Sequence, residues 1–175
     1  MIIDTHSHIS FKAYDKDREE VIRRTQKEGV VCIDVGTKYE TSKLVVELAE
    51  KNEGIYAAIG MHPIHIKTDL LKMKIDLMEE PDKSPEGHLD GPAIMPVSRA
   101  LGGEDYDAGK YRELAKSKKV VAIGEVGLDY YYRPKGNTKL GKFKEIQKKV
   151  FIEQLDLAKE LDLPVIIRKK FLLNN

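Results

Sequence analysis

Short apolar runs alternate with longer charged segments along most of the chain. Residues 1–5, 30–35, 55–60, 120–124 and 164–167 are short and mostly rich in Val and Ile, which reads as five strands. Runs apolar at nearly every position predict strands covered on both faces. The segments between them carry helical spacing. Residues 15–28 set Val21 and Ile22 among charges and stop at Gly29, while residues 38–51 place Leu44, Val45, Leu48 and Ala49 three and four apart. Thr41 or Ser42 is the cap expected there. The longest helix is predicted from about 142 to 161, with Ile146, Val150, Leu157 and Leu161 broadly on one side and Pro164 beyond its end. Strand and helix in alternation predict parallel β/α units.

Residues 81–107 break this rhythm. They contain Pro81, Pro85, Pro92 and Pro96 with Gly87, Gly91, Gly102 and Gly103, and little periodicity. So long an irregular excursion is either a functional lid or a poorly ordered insertion. The whole chain, 1–175, is then expected to form one domain interrupted by this insertion.

Composition narrows the class. The chain has 175 residues, 41% in the hydrophobic set and 34% charged, with 30 basic against 29 acidic side chains. That is enough apolar material for one sizeable core, and too little for a membrane protein. A formal net charge of +1 excludes a histone-like binder, so any contact with nucleic acid has to come from a local patch. The single cysteine, Cys32, lies in the apolar run Val30-Val31-Cys32-Ile33 and reads as a buried, inert thiol. No stretch resembles a secretory leader or a membrane span, so a soluble cytoplasmic protein is expected.

Three segments carry candidate chemistry. In Asp4-Thr5-His6-Ser7-His8, strand alternation sends Asp4, His6 and His8 to one side, where two imidazoles approach closely enough to share a metal ion. The bland alternative is two solvent-facing histidines at a strand end. Glu125, in Gly124-Glu125-Val126-Gly127-Leu128-Asp129, follows an apolar strand and shares its parity with Val121 and Ile123. If those two face a barrel interior, Glu125 points into the same mouth as the histidines. Taken alone it would be a turn carboxylate. The third segment is Gly60-Met61-His62-Pro63-Ile64-His65. Pro63 biases His62 to extended backbone, holding its imidazole at a strand exit, where it could contact a phosphate or an oxyanion. His65 reads as a loop or early-helix residue, and His88 in the excursion has no assigned role.

These motifs, with Tyr130-Tyr131 and the segment 151–167, together resemble the TatD family of metal-dependent deoxyribonucleases. The resemblance implies a TIM-barrel, (β/α)8-type fold with divalent metal ions at the carboxyl ends of its strands: Mg, Mn or Zn, two expected from the family. His6 and His8 would bind the first metal and Glu125 would bridge to the second. Two cations can neutralise a phosphodiester, activate a water and stabilise the leaving oxygen.

The sequence departs from that family pattern at Arg168. A histidine is expected directly after the fifth apolar run, followed later by another histidine and an aspartate, but Pro164-Val165-Ile166-Ile167 leads into Arg168, Lys169 and Lys170. Arginine stays protonated and is not an ordinary metal ligand. His6, His8 and Glu125 could still hold one ion. Five strands also fall short of eight, so the expected architecture is an incomplete barrel. Three accounts compete: a truncated chain impaired for want of later ligands, a chain that pairs with itself or a second polypeptide through an exposed strand edge, or a reduced one-metal domain.

From Arg133 to Lys149 the sequence has seven basic residues and one acidic one. Such a stretch beside a metal site would attract a polyanion, with Arg133 on phosphate and Tyr130, Tyr131 and Tyr132 stacking on unpaired bases. Equally, it reads as the solvated face of a covering helix, with tyrosines packed at the rim. The leading expectation is a hydrolase cleaving DNA, with Glu125 and His62 in catalytic roles and His62, Tyr130, Tyr131 and Arg133 binding substrate. The alternatives are an inactive fragment or metal- and nucleic-acid-binding protein, and another hydrolase acting on a small ester or amide.

Overall fold

A computed structural model of the chain describes residues 2–68, 70, 72–74, 94–96, 103–131 and 133–170. The five expected strands are present as β1 (Ile2–Ser7), β2 (Val30–Val35), β3 (Ile55–Ile59), β6 (Val120–Asp129) and β7 (Val165–Lys170). They form one sheet in the order β1-β2-β3-β6-β7, and every neighbouring pair is parallel. Helices α1 (Arg18–Lys27), α2 (Tyr39–Lys51), α3 (Ala108–Leu114) and α4 (Asn137–Glu160) make the crossovers. This is half of a β/α barrel.

The apolar spacing read from the sequence forms the core. Ile22 of α1, Val45 and Ala49 of α2, and Val150, Leu157 and Ala158 of α4 pack on Ile55, Ile59 and Ile123 of the sheet. Burying each such Ile or Leu contributes about 1.5–3 kcal/mol. The opposite face carries a smaller cluster of Val35, Ala58 and Ala122, with Ile33 and Ile166 against it. Cys32 is buried, and burial pushes its thiol up, which suits an inert role.

Several boundaries differ from expectation, each for a physical reason. Strand β1 is not covered on both faces: Ile2 and Ile3 are 67% and 49% exposed, and among the described strands β1 stands at the sheet edge beside β2. Helix α4 begins at Asn137, five residues before the expected 142, because Gly141 in its first turns masks the helical signal. Thr41 caps α2 from its third helical position, accepting the Thr37 N–H at 2.8 Å and the Lys38 N–H at 3.0 Å, so it does not stand at the start. Helix α3, too short for periodicity to reveal, is capped by Asp107 accepting the Gly109 N–H at 2.9 Å.

Strand β6 also runs past Gly124 to Asp129, through what reads as a loop. Two glycines allow this. A Cβ at Gly124 would meet Ile166 Cβ at 2.6 Å, and one at Gly127, where φ is +145°, would meet the Arg168 carbonyl oxygen at 1.9 Å. Only chain without side chains lets β7 approach that closely, bringing Arg168 opposite Gly127. Most of the 81–107 excursion lies outside the described residues. Of its neighbourhood, β4 (Lys72–Lys74) and β5 (Ile94–Pro96) pair antiparallel, apart from the main sheet.

Among the described residues, no helix is long and apolar enough to cross a membrane.

Candidate metal centre

His6 lies near the end of β1 and His8 one residue beyond it. Their rings meet edge to face with centroids 5.0 Å apart. Asp34, fully buried in β2, shapes the turn that follows: its carboxylate accepts the Ile9 N–H at 2.6 Å, the Ser10 N–H at 3.0 Å and the Ser7 hydroxyl at 3.3 Å. Burial pushes the Asp34 carboxyl above the ordinary range, against the pull of these donors. Arg18, at the start of α1, secures the same turn from its other side, donating to the carbonyls of Ile9, Ser10 and Phe11 at 2.9, 3.1 and 2.9 Å. Neither residue was evident as a support from sequence. An acidic residue inside the apolar run of β2 is the signal that could have marked Asp34.

Glu125 reaches the histidines by a route different from simple alternation. Ile123 lies in the helix-side cluster while Ala122 lies in the opposite one, so parity with Ile123 would turn Glu125 away from the mouth. The register between β6 and β7 shifts between Ile123 and Val126, and this irregularity resets the direction. Glu125 is buried, with Oε2 3.6 Å from His6 Nε2. Its other oxygen, Oε1, accepts a hydrogen bond from Arg168 Nη1 at 2.9 Å.

One ligand atom from each of His6, His8 and Glu125 lies within 4.8 Å of the others. Tetrahedral zinc with bonds of about 2.1 Å separates its ligands by roughly 3.4 Å, so the His6–Glu125 spacing already suits a shared ion, and small side-chain rotations would close the rest. His8 Nδ1 lies 3.0 Å from the Val35 carbonyl oxygen, which can only accept. That bond fixes the proton on Nδ1 and leaves Nε2 as the ligand atom, the usual orientation device of a metal-binding imidazole. Two imidazoles and a carboxylate therefore fit one divalent cation.

The other sequence-nominated residues stand apart from that group. His62 is buried at the exit of β3, where its Nδ1 accepts the Ile64 N–H at 3.0 Å and caps the short 3-10 helix Pro63–His65. His65 is buried beside it, with ring centroids 6.2 Å apart. Tyr130 has the Lys144 ammonium over its ring at 5.2 Å, so one face is already covered, whereas Tyr131 is exposed. Arg133 is exposed, as are Lys135, Lys139, Lys142, Lys148 and Lys149. Tyr132 and His88 lie outside the described residues.

A parallel β/α sheet with two imidazoles and a carboxylate gathered toward the carboxyl ends of its strands is the arrangement of barrel-type enzymes, which build their sites at that face. The chain belongs to the TatD related DNase family, whose model matches residues 3–169. It is 36% identical over 171 residues to the uncharacterized metal-dependent hydrolase YabD of Bacillus subtilis, covering 97% of this chain and 51% of that protein. It is 28% identical to the human deoxyribonuclease TATDN3, covering 97% and 52%. Among solved structures it resembles YjjV, a TatD homologue from Escherichia coli, with a TM-score of 0.61, 30% identity, and coverage of 97% of this chain and 51% of that one. The chain thus spans about half the length of the curated relatives it matches.

Proposed function

We propose that this chain carries the cation site of a hydrolase that cleaves DNA phosphodiester bonds, with residues 1–175 folding as one part-barrel unit. The observation that carries this reading is the convergence of His6, His8 and Glu125 on a volume that fits one divalent cation. A cation bound there, with Zn or Mn better suited than Mg to two imidazole donors, would polarise a phosphodiester oxygen and lower the pKa of a bound water.

The protein's own residues set the terms of that chemistry. His8 presents Nε2 because Val35 holds Nδ1. Glu125 supplies a carboxylate oxygen beside His6, and as a catalytic group would hold the proton of the attacking water. His62, at the adjacent strand exit, would contact a phosphate oxygen. Tyr130 and Tyr131 would bind bases, Tyr131 through its exposed ring and Tyr130 through the face away from Lys144, while Arg133 would hold the backbone. DNA as the substrate is supported by deoxyribonucleases among the similar proteins and by the basic first half of α4.

The test is direct. Metal bound per chain is quantified, and a fluorescent single-stranded DNA is assayed with Mg2+, Mn2+ or Zn2+. The wild type is expected to bind metal and cleave, and His6→Ala and Glu125→Ala to lose both. Wild type as inert and metal-free as the two variants would end the enzymatic reading. Cleavage surviving in both variants would place the site elsewhere.

A second reading, metal and nucleic-acid binding without hydrolysis, is favoured by one contact: Arg168 already occupies Glu125 Oε1. We further propose that the sheet edges pair with another polypeptide, either a second copy or a different chain. Both β1 and β7 are edge strands, and they expose Ile2, Ile3 and Ile167, an arrangement that invites strand pairing. Sedimentation of the purified chain is expected to give a concentration-dependent mass above 19.9 kDa. A monomer at all concentrations would remove self-pairing.

A further inference from the structure

Glu125 is shared between two positive partners. One oxygen faces the imidazoles that would hold a cation, and the other is held by a guanidinium that never deprotonates in the functional pH range. The two sides of the pair differ in environment. Glu125 is 3% exposed, whereas the Arg168 side chain is 44% exposed. A guanidinium has five N–H donors, and the Glu125 contact uses only Nη1.

The position of Arg168 is built into the backbone. Its carbonyl oxygen sits where a Cβ of residue 127 would be, so only a glycine there lets β7 come near enough for the side chain to reach Glu125. Arginine offers a planar fork suited to two oxygens of a phosphate, which a point charge does not.

We propose that Arg168 is the anion-binding arm of a one-cation centre. It takes one oxygen of Glu125, so that oxygen is not available to a second divalent ion, and its remaining donors bind an oxygen of the substrate phosphate beside the cation. This rests on the reading that His6, His8 and Glu125 hold a metal. It replaces the two-ion arrangement implied by the family resemblance with one ion and one fixed guanidinium.

The arm makes two predictions of opposite sign. Removing it should strengthen cation binding, because a neighbouring positive charge and a competitor for Glu125 both disappear, and should weaken phosphate binding. Isothermal titration of the full chain with Mn2+, then of the Mn2+-loaded chain with inorganic phosphate, reads both. Wild type is expected to bind one Mn2+ per chain. Arg168→Gln is expected to bind Mn2+ about tenfold tighter and phosphate at least tenfold more weakly, while Arg168→Lys, keeping charge without the fork, falls between.

A merely structural role for Arg168 would weaken both affinities together, and that result overturns the proposal. So does a wild type that takes up two Mn2+ ions, or a phosphate affinity unchanged in both variants. If Arg168→Gln does not fold, the Arg168→Lys variant decides by the same opposed changes. Wild type binding no Mn2+ at all would remove the metal site as well, whereas one Mn2+ with unchanged phosphate affinity removes only the arm.

Discussion

Asp34 does at the residue scale what neither histidine can do alone. Buried in β2, it gathers three donors from the turn that carries His8, so that imidazole stands on a braced turn beside His6 of β1. Because burial raises its carboxyl, the folded chain holds this proton more tightly than the unfolded one. The resulting contribution to stability is full below the unfolded value of about 3.9 and is lost as pH rises through the folded value. Asp34→Asn cannot ionise and should lack that dependence. Thermal midpoints followed upward from about pH 3.5 are expected to fall for wild type relative to Asp34→Asn. Parallel curves would show that Asp34 titrates normally. His6 and His8 stood out in the sequence because imidazoles two apart at a strand end are an unusual pattern, whereas Glu125 was nominated by an alternation that β6 does not keep. Asp34 and Arg18 were not, since their work is done on backbone groups that no residue pattern displays.

Helix α4 carries at the element scale a feature that its apolar stripe conceals. Gln147 and Gln154 are buried, and each amide clasps one residue's backbone from both sides. Gln147 accepts the Asp129 N–H at 2.9 Å and donates to the Asp129 carbonyl at 3.0 Å. Gln154 does the same at Met61, at 2.7 and 3.1 Å. Each satisfies a buried backbone N–H and C=O, at the last residue of β6 and two residues past the end of β3. Gln→Leu at either position leaves a buried N–H and C=O unpaired and should cost about 1–3 kcal/mol for each stranded group. Urea unfolding measures this, and the double variant should sum the single losses to within about 0.5 kcal/mol, because the two clasps share no partner. Losses below half a kcal/mol would mean that the helix, not the amides, secures these ends. The order of the five main-sheet strands and of α1, α2 and α4 was legible from periodicity, and that of the short α3 was not. Nor was the extension of β6 to Asp129, because it depends on glycines meeting a strand distant in sequence.

The whole molecule is a half-barrel, asymmetric in charge as well as in edges. Within α4, the turns up to Lys149 carry Lys139, Lys142, Lys144, Lys148 and Lys149 against Glu145. The turns beyond carry Glu153, Asp156 and Glu160 against Lys159. The helix is about 36 Å long, and its basic half follows the end of β6 at Asp129 and the short segment that carries Tyr131. If single-stranded DNA lies along it, log affinity should fall linearly with log salt, and each phosphate contact removed should reduce the slope by about 0.7. Lys139→Glu and Lys142→Glu, assayed by fluorescence anisotropy across a salt series, should each flatten the line. An unchanged slope would put the polyanion elsewhere. The position of β7 at an edge of the described sheet, by contrast, was expected from counting five strands against the eight of a barrel.

The two glutamine clasps have a consequence beyond the energy they contribute. They are seven residues apart on one helix and grip the end of β6 and the segment just past β3, so they work as a vernier: sliding α4 by one residue, or rotating it by the corresponding 100°, would break both at once. The lysines of its first half are thereby held at a set azimuth and distance from β6, the strand that carries Glu125. A charge pattern that is only composition when read along the chain becomes a coordinate fixed relative to the candidate metal site.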